Sequence, residues 1–255
     1  MARSERLIGW GLRSAVGVLA LFLVEPAAAQ SLTLDLGQGG SVTSQIVQIL
    51  ILITVLSLAP SILIMVTSFT RIVVVLSFLR TAVGLQQTPP NAVLISLALF
   101  LTLFVMTPVF EQVYEDGIKP LLEDEIDEMQ ALELASAPVR DFMLEHVRDK
   151  DLALFAEMAG IEELQTPEVT PMRILVPAFM ISELRRAFEI GFLIFMPFVI
   201  IDMVVASVLM SMGMMTLPPV IISLPFKLIF FVLVDGWYLL AGSLVESYAA
   251  KPLGL

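Results

Sequence analysis

Three ionisable side chains stand among residues that are almost wholly apolar: Asp202, Lys227 and Asp235. A charge at the centre of a bilayer costs about 2.5–3.5 kcal/mol on insertion scales, so such groups normally face protein or water and find partners. Asp202 and Lys227 flank a short hairpin at similar distances from its tip. Two chemistries follow: an ion pair bracing the two arms, or a proton relay coupling transport to a proton gradient. The pairing is the first expectation, and the relay stays open beside it. At the tip, Met210-Ser211-Met212-Gly213-Met214-Met215 precedes Thr216-Leu217-Pro218-Pro219, so four of six successive residues are methionine. Methionine is unbranched and soft and fits irregular apolar surfaces. Several such loops around an axis can form an apolar constriction that closes by dewetting. Filling gaps between helices is the plainer use, and composition by itself favours it.

Other chemistry-bearing residues carry less. Across Ile174 to Phe192, Ile181, Leu184 and Phe188 share one helical face. Glu183, Arg186 and Glu189, with Arg185 beside them, lie on another at three- and four-residue spacings that favour pairing. The mixed charges predict an amphipathic helix that meets a protein partner rather than a lipid surface. The acidic run Glu123, Asp124, Glu125, Asp127 and Glu128 has no glycine at the spacing of a calcium loop. No metal or cofactor is expected. His146, between Glu145 and Val147, reads as a surface histidine. There is no cysteine, which removes disulfides, thiolate metal sites and cysteine nucleophiles. With no histidine in the apolar runs either, no usual nucleophile–base pair can be assembled there, and an enzyme is not expected.

The elements that must position these residues are helices in a membrane. Of the 255 residues, 58% are apolar and 15% charged, and the mean hydropathy is +0.92. A soluble domain is nearer half apolar and a quarter charged. No charged residue lies between Asp35 and Arg71, between Arg80 and Glu111, or between Asp202 and Lys227. Each interval exceeds the roughly 20 residues a helix needs to cross the hydrocarbon. Only helices and closed barrels satisfy their backbone groups in lipid, and the runs lack the two-residue alternation of a barrel strand. The fold class is therefore all-α membrane protein. Spans are predicted in Ile46–Phe69, Asn91–Phe110, Ile190–Met210 and Val220–Val245. Pro60, Pro108, Pro197 and Pro225 interrupt them, predicting kinked helical hairpins.

The N-terminus has the pattern of a secretory signal. Arg3, Arg6 and Arg13 precede the ten-residue apolar stretch Ala15–Val24, and Ala27-Ala28-Ala29 offers a cleavage site before Gln30. The link between the first two spans carries Arg71 and Arg80 and no acid. Between spans two and three, Glu111 to Thr170 holds 17 acidic and 4 basic residues, a net of −13. The positive-inside rule then puts the Arg71/Arg80 link in the cytoplasm and the N-terminus, acidic segment and C-terminus in the periplasm. The net charge of −11 excludes a nucleic-acid partner, which needs a basic face. Leu122, Ile126 and Met129 repeat at helical spacing, Ser136-Ala137-Pro138 reads as a helix start and Gly160 as a stop. The segment is expected to be a solvated helical cap. The expected organisation is a signal peptide at 1–29, an N-terminal hairpin at 30–110, an acidic periplasmic insertion at 111–173, and an amphipathic helix with a C-terminal hairpin at 174–255.

Long stretches resemble the FliP family of type III secretion export-gate subunits. They are Pro177-Ala-Phe-Met-Ile-Ser-Glu-Leu-Arg-Arg-Ala-Phe-Glu-Ile-Gly-Phe192, then Pro197-Phe-Val-Ile-Ile-Asp202 running into the methionine turn, Pro218-Pro219, Leu224-Pro-Phe-Lys227 and Val234-Asp-Gly-Trp237. Thr67-Ser-Phe-Thr-Arg71 through Gln86-Gln-Thr-Pro-Pro-Asn91 is similar to the family's first hairpin. The resemblance implies a non-enzymatic part of a secretion machine in the inner membrane at the flagellar basal body. It implies a homo-oligomer (a pentamer in the family) assembled with FliQ and FliR around a conduit for unfolded export substrates. Its hairpins would be largely lifted above the bilayer plane. It also implies that Met210, Met212, Met214 and Met215 form the gasket of the resting pore. The family usually has three methionines after the glycine, whereas Thr216 stands third here. A secondary transporter or proton channel built on Asp202, Lys227 and Asp235 is the alternative, although the two halves show no inverted repeat.

Overall fold

A computed structural model describes residues 42–85, 87–161, 170–214 and 216–249. The expected signal peptide, residue Met215 and the C-terminal six residues lie outside them. The chain divides into two units, residues 1–55 and 56–255. Of the first unit, residues 42–55 are described, and they are helical.

Every regular element among the described residues is helical. Helix α1 is Val42–Val66, α2 Phe69–Val83 and α3 Asn91–Val113. A single wide turn, Tyr114–Ile118, carries α3 into the short α4, Lys119–Leu122. Then follow α5 (Glu128–His146), α6 (Asp149–Met158), α7 (Met172–Ser211), α8 (Pro219–Leu233) and α9 (Gly236–Ala249). Asn91–Leu122 and Met172–Ser211 are long and apolar enough to cross a bilayer, and up to four spans result if each bent helix pair counts as one. The chain is an all-α membrane protein, as its composition requires.

The core of the second unit is built on α2 and α7. Ile72, Val75, Leu76, Leu79, Ala82 and Val83 are buried along one face of α2, the three- and four-residue spacing of a helical stripe. The helix stops at Gly84, whose φ of +89° lets its N–H reach Thr81 O and the Leu85 N–H reach Arg80 O, a closure that glycine makes without strain. Gly191 lets α7 approach α2: a Cβ there would lie 2.5 Å from Phe78 Cδ2. Phe78 and Phe188 meet edge to face at 5.0 Å. Helix α3 buries Leu94, Ala98, Thr102 and Met106, one residue in every four.

Several expectations are corrected. The link between the first two spans is helical: α2 fills it and buries one face. Helix α7 runs for 40 residues through Pro177 and Pro197. The last expected span is two helices bent by 62°, and the break falls at Asp235 (φ +50°) rather than at Pro225. A polar residue can occupy this left-handed backbone at modest cost. In the acidic segment, Ser136-Ala137-Pro138 lies inside α5. That helix starts instead at Asp127, whose carboxylate accepts from the Gln130 N–H at 2.8 Å, because an N-cap acceptor satisfies an otherwise unpaired donor. Leu122 and Met129 are exposed, so they form no buried stripe. Gly160, with φ +71°, does end α6. Nor is the segment a mere cap: Phe142 and Met143 of α5 and Leu152 of α6 join the main core.

Candidate functional site

The i, i+4 stripes carry the charged residues. Glu183 follows Phe179 and precedes Ala187 and Gly191 on the buried face of α7. Arg71 precedes Val75 and Leu79 on α2, and Tyr248 follows Leu240 and Leu244 on α9. Each stripe aims its one polar member at the same point. There Arg71 Nε donates to Glu183 Oε2 at 2.9 Å, and a second guanidinium nitrogen pairs with Oε1. The Tyr248 hydroxyl donates to Glu183, and Arg71 Nη1 reaches Ser247 Oγ at 3.1 Å. The guanidinium also lies 3.8 Å from the centre of the Tyr248 ring, within cation–π range. Side-chain exposure is 1% for Arg71 and 0% for Glu183.

This cluster corrects two expectations. Glu183 belongs to the interior of the chain and is not available as a subunit contact. On this helix Ser182, Glu183 and Ala187 face inward, while Ile181, Leu184 and Phe188 are exposed. Arg185 and Glu189 are exposed and pair with each other at 2.8 Å, and Arg186 is half-buried. His146 is also interior. Its Nδ1 lies 2.8 Å from Phe142 O and its Nε2 3.4 Å from Tyr248 O, and its ring packs on Phe142 and Tyr248. Nearby, the Ser182 hydroxyl donates to Asp151 at 2.6 Å, and Arg148 grips the same carboxylate. These contacts tie α6 to α7.

Asp202 and Lys227 do meet. Lys227 Nζ donates to Asp202 Oδ2 at 2.7 Å and to Ala82 O at 3.3 Å, and Ser223 donates to Asp202 Oδ1 at 2.5 Å. Ala82 O is one of the last carbonyls of α2, so the ammonium also answers the negative end of that helix. Helices α2, α7 and α8 are thus braced by one lysine. Asp235 is exposed at the α8–α9 break and does not join them. Above the brace, Met214 N–H bonds Leu209 O and Gly213 N–H bonds Met210 O, both at 3.0 Å. Gly213 has φ +74° and open space where a Cβ would be. This tight closure leaves Met210, Met212 and Met214 exposed at 64%, 65% and 42%. Among the described residues, no group of three or more His, Asp or Glu is placed to hold a metal ion.

Sequence reasoning missed Arg71, Ser182, Asp151 and Tyr248. A signal for Arg71 and Tyr248 was present: each is the lone polar residue in phase with an apolar four-residue stripe.

The fold and these contacts define a helical membrane protein in which the Arg71–Glu183 and Lys227–Asp202 pairs hold helices together. The sequence matches the FliP family over residues 52–244. It is 60% identical over 249 residues to the flagellar biosynthetic protein FliP of Caulobacter vibrioides, covering 97% of this chain and 94% of that one. The FliP of Pectobacterium carotovorum is 52% identical over 92% of this chain and 93% of its own. The Bacillus subtilis protein is 56% identical over 80% and 93%. The chain belongs to the FliP family.

Proposed function

We propose that this chain is a structural, pore-forming subunit of the flagellar type III protein-export gate, conducting unfolded flagellar substrates across the inner membrane. The observation that carries the reading is the methionine turn. A hairpin braced by Lys227 and Asp202 displays three exposed methionine side chains at its tip. Apolar surface of this kind calls for a partner. Copies arranged around an axis, with FliQ and FliR, supply one and leave the methionines facing the axis. The gasket is then Met210, Met212, Met214 and Met215. The subunit is structural rather than catalytic. Its N-terminus, acidic insertion (residues 111–173) and C-terminus face the periplasm after removal of residues 1–29. The decisive experiment replaces Met212, Met214 and Met215 with alanine in the assembled gate and measures small-ion conductance. A leak supports the gasket, and unchanged conductance rejects it. Mass determination of the chain expressed with and without FliQ and FliR tests the assembly.

A second reading, a proton channel or secondary transporter, draws on one observation: the Asp202 side chain is 32% exposed beside a buried lysine. It requires proton flux by the purified chain alone, abolished in Asp202→Asn. No flux, or flux indifferent to that change, removes it.

A further inference from the structure

We infer that Met210, Met212 and Met214 form a thioether site for a soft monovalent cation, Cu(I), with Ag(I) as its redox-inert probe. The three residues alternate with Ser211 and Gly213, both small, so no large side chain is interposed between them in the sequence of the turn. The backbone is closed on itself by the bonds from Met214 to Leu209 and from Gly213 to Met210, which holds the three Cα atoms in one turn. Each thioether sits on three rotatable bonds, and all three side chains are exposed. They can therefore converge without unpacking the core. Thioethers are soft neutral donors that select Cu(I) over hard and borderline cations. The setting agrees: no charged residue occurs between Asp202 and Lys227, and these two are committed to each other. Among the described residues no group of three or more carboxylates or histidines is placed to hold a divalent cation, whereas a monovalent soft ion needs no carboxylate. The site stands on the geometry of the turn, whether or not the turn closes a pore.

The test is Ag(I) titration of the purified full-length chain, followed by calorimetry and native mass spectrometry, with Zn(II) run in parallel. The expected result is one Ag(I) bound per chain and no Zn(II). Binding should weaken by roughly tenfold or more in the triple variant Met210→Leu, Met212→Leu, Met214→Leu. Leucine keeps volume and apolarity, so the fold is preserved, and an unchanged helical circular-dichroism spectrum verifies it. A control triple at exposed methionines elsewhere, Met129→Leu, Met158→Leu and Met203→Leu, should bind as the parent does. The inference is overturned if the parent binds no Ag(I), if Zn(II) binds equally, or if the turn variant binds as tightly as the parent.

Discussion

Arg71 and Glu183 lie 112 positions apart in the chain and meet in its interior, with Arg71 Nε 2.9 Å from Glu183 Oε2. The pair joins α2 to α7 at the point where α9 arrives with Tyr248. Taking two charges out of water is expensive, so the pair holds only because the neighbouring groups complete its hydrogen bonds. It is a specific lock more than a source of net stability.

That distinction gives the first prediction. Arg71→Met or Glu183→Leu alone strands a buried charge and should cost about 3–5 kcal/mol. The double variant removes both charges and should lose less than either single one. Thermal unfolding of the detergent-solubilised chains measures this. A double variant that loses the sum of the two single losses would show that the pair acts as two independent groups.

Helix content, the long uncharged runs and the Asp202–Lys227 contact were legible in the sequence, because burial in lipid forces uninterrupted apolarity and two charges flanking one hairpin have few partners. The buried face of α7 was not. The spacing puts Ile181, Leu184 and Phe188 on one face and the charges on another, but it does not say which face turns inward; here the face that carries Glu183 does. The interior place of Glu183 then depends on Arg71, and nothing local announces a partner 112 positions away. His146 was misplaced for a related reason: its sequence neighbours are charged, whereas the packing of Phe142 and Tyr248 that encloses it is tertiary.

Tyr248 separates the polar from the apolar share of the α9 anchorage. Tyr248→Phe keeps the ring against Phe142 and His146 but removes the hydroxyl from Glu183. A hydrogen bond to a charged group contributes roughly 1.5–3 kcal/mol, and the variant should lose about that much. Tyr248→Ala also loses the aromatic packing and should fall by about 3–5 kcal/mol. If the two variants melt together, the ring contributes nothing to holding α9.

Glycine positions supply an opposed pair. A Cβ on Gly191 would press on Phe78 at 2.5 Å, and nothing lies within 4 Å of one on Gly242. Gly191→Ala should destabilise the α2–α7 contact by about 1–3 kcal/mol, the usual cost of overpacking. Gly242→Ala, inside α9, should be neutral or stabilise by up to about 1 kcal/mol, because alanine gives up less backbone freedom in a helix. The same melting experiment reads both, and equal shifts would contradict the close approach at Gly191.

The exposed stripe of α7 gives the last prediction. Ile181 and Leu184 point away from the core, while the neighbouring Arg185 and Glu189 are satisfied by each other. A surface apolar face flanked by a self-contained ion pair suits a protein neighbour, which meets no unpaired charge. Ile181→Ser with Leu184→Ser should leave the stability of the isolated chain within about 0.5 kcal/mol, as for other surface changes. The same variant should fail to enter the multi-copy particle when it is expressed with FliQ and FliR. Native mass spectrometry and a melting curve on one preparation read both quantities. A variant that assembles normally would assign the stripe to lipid, and one that unfolds would return it to the core.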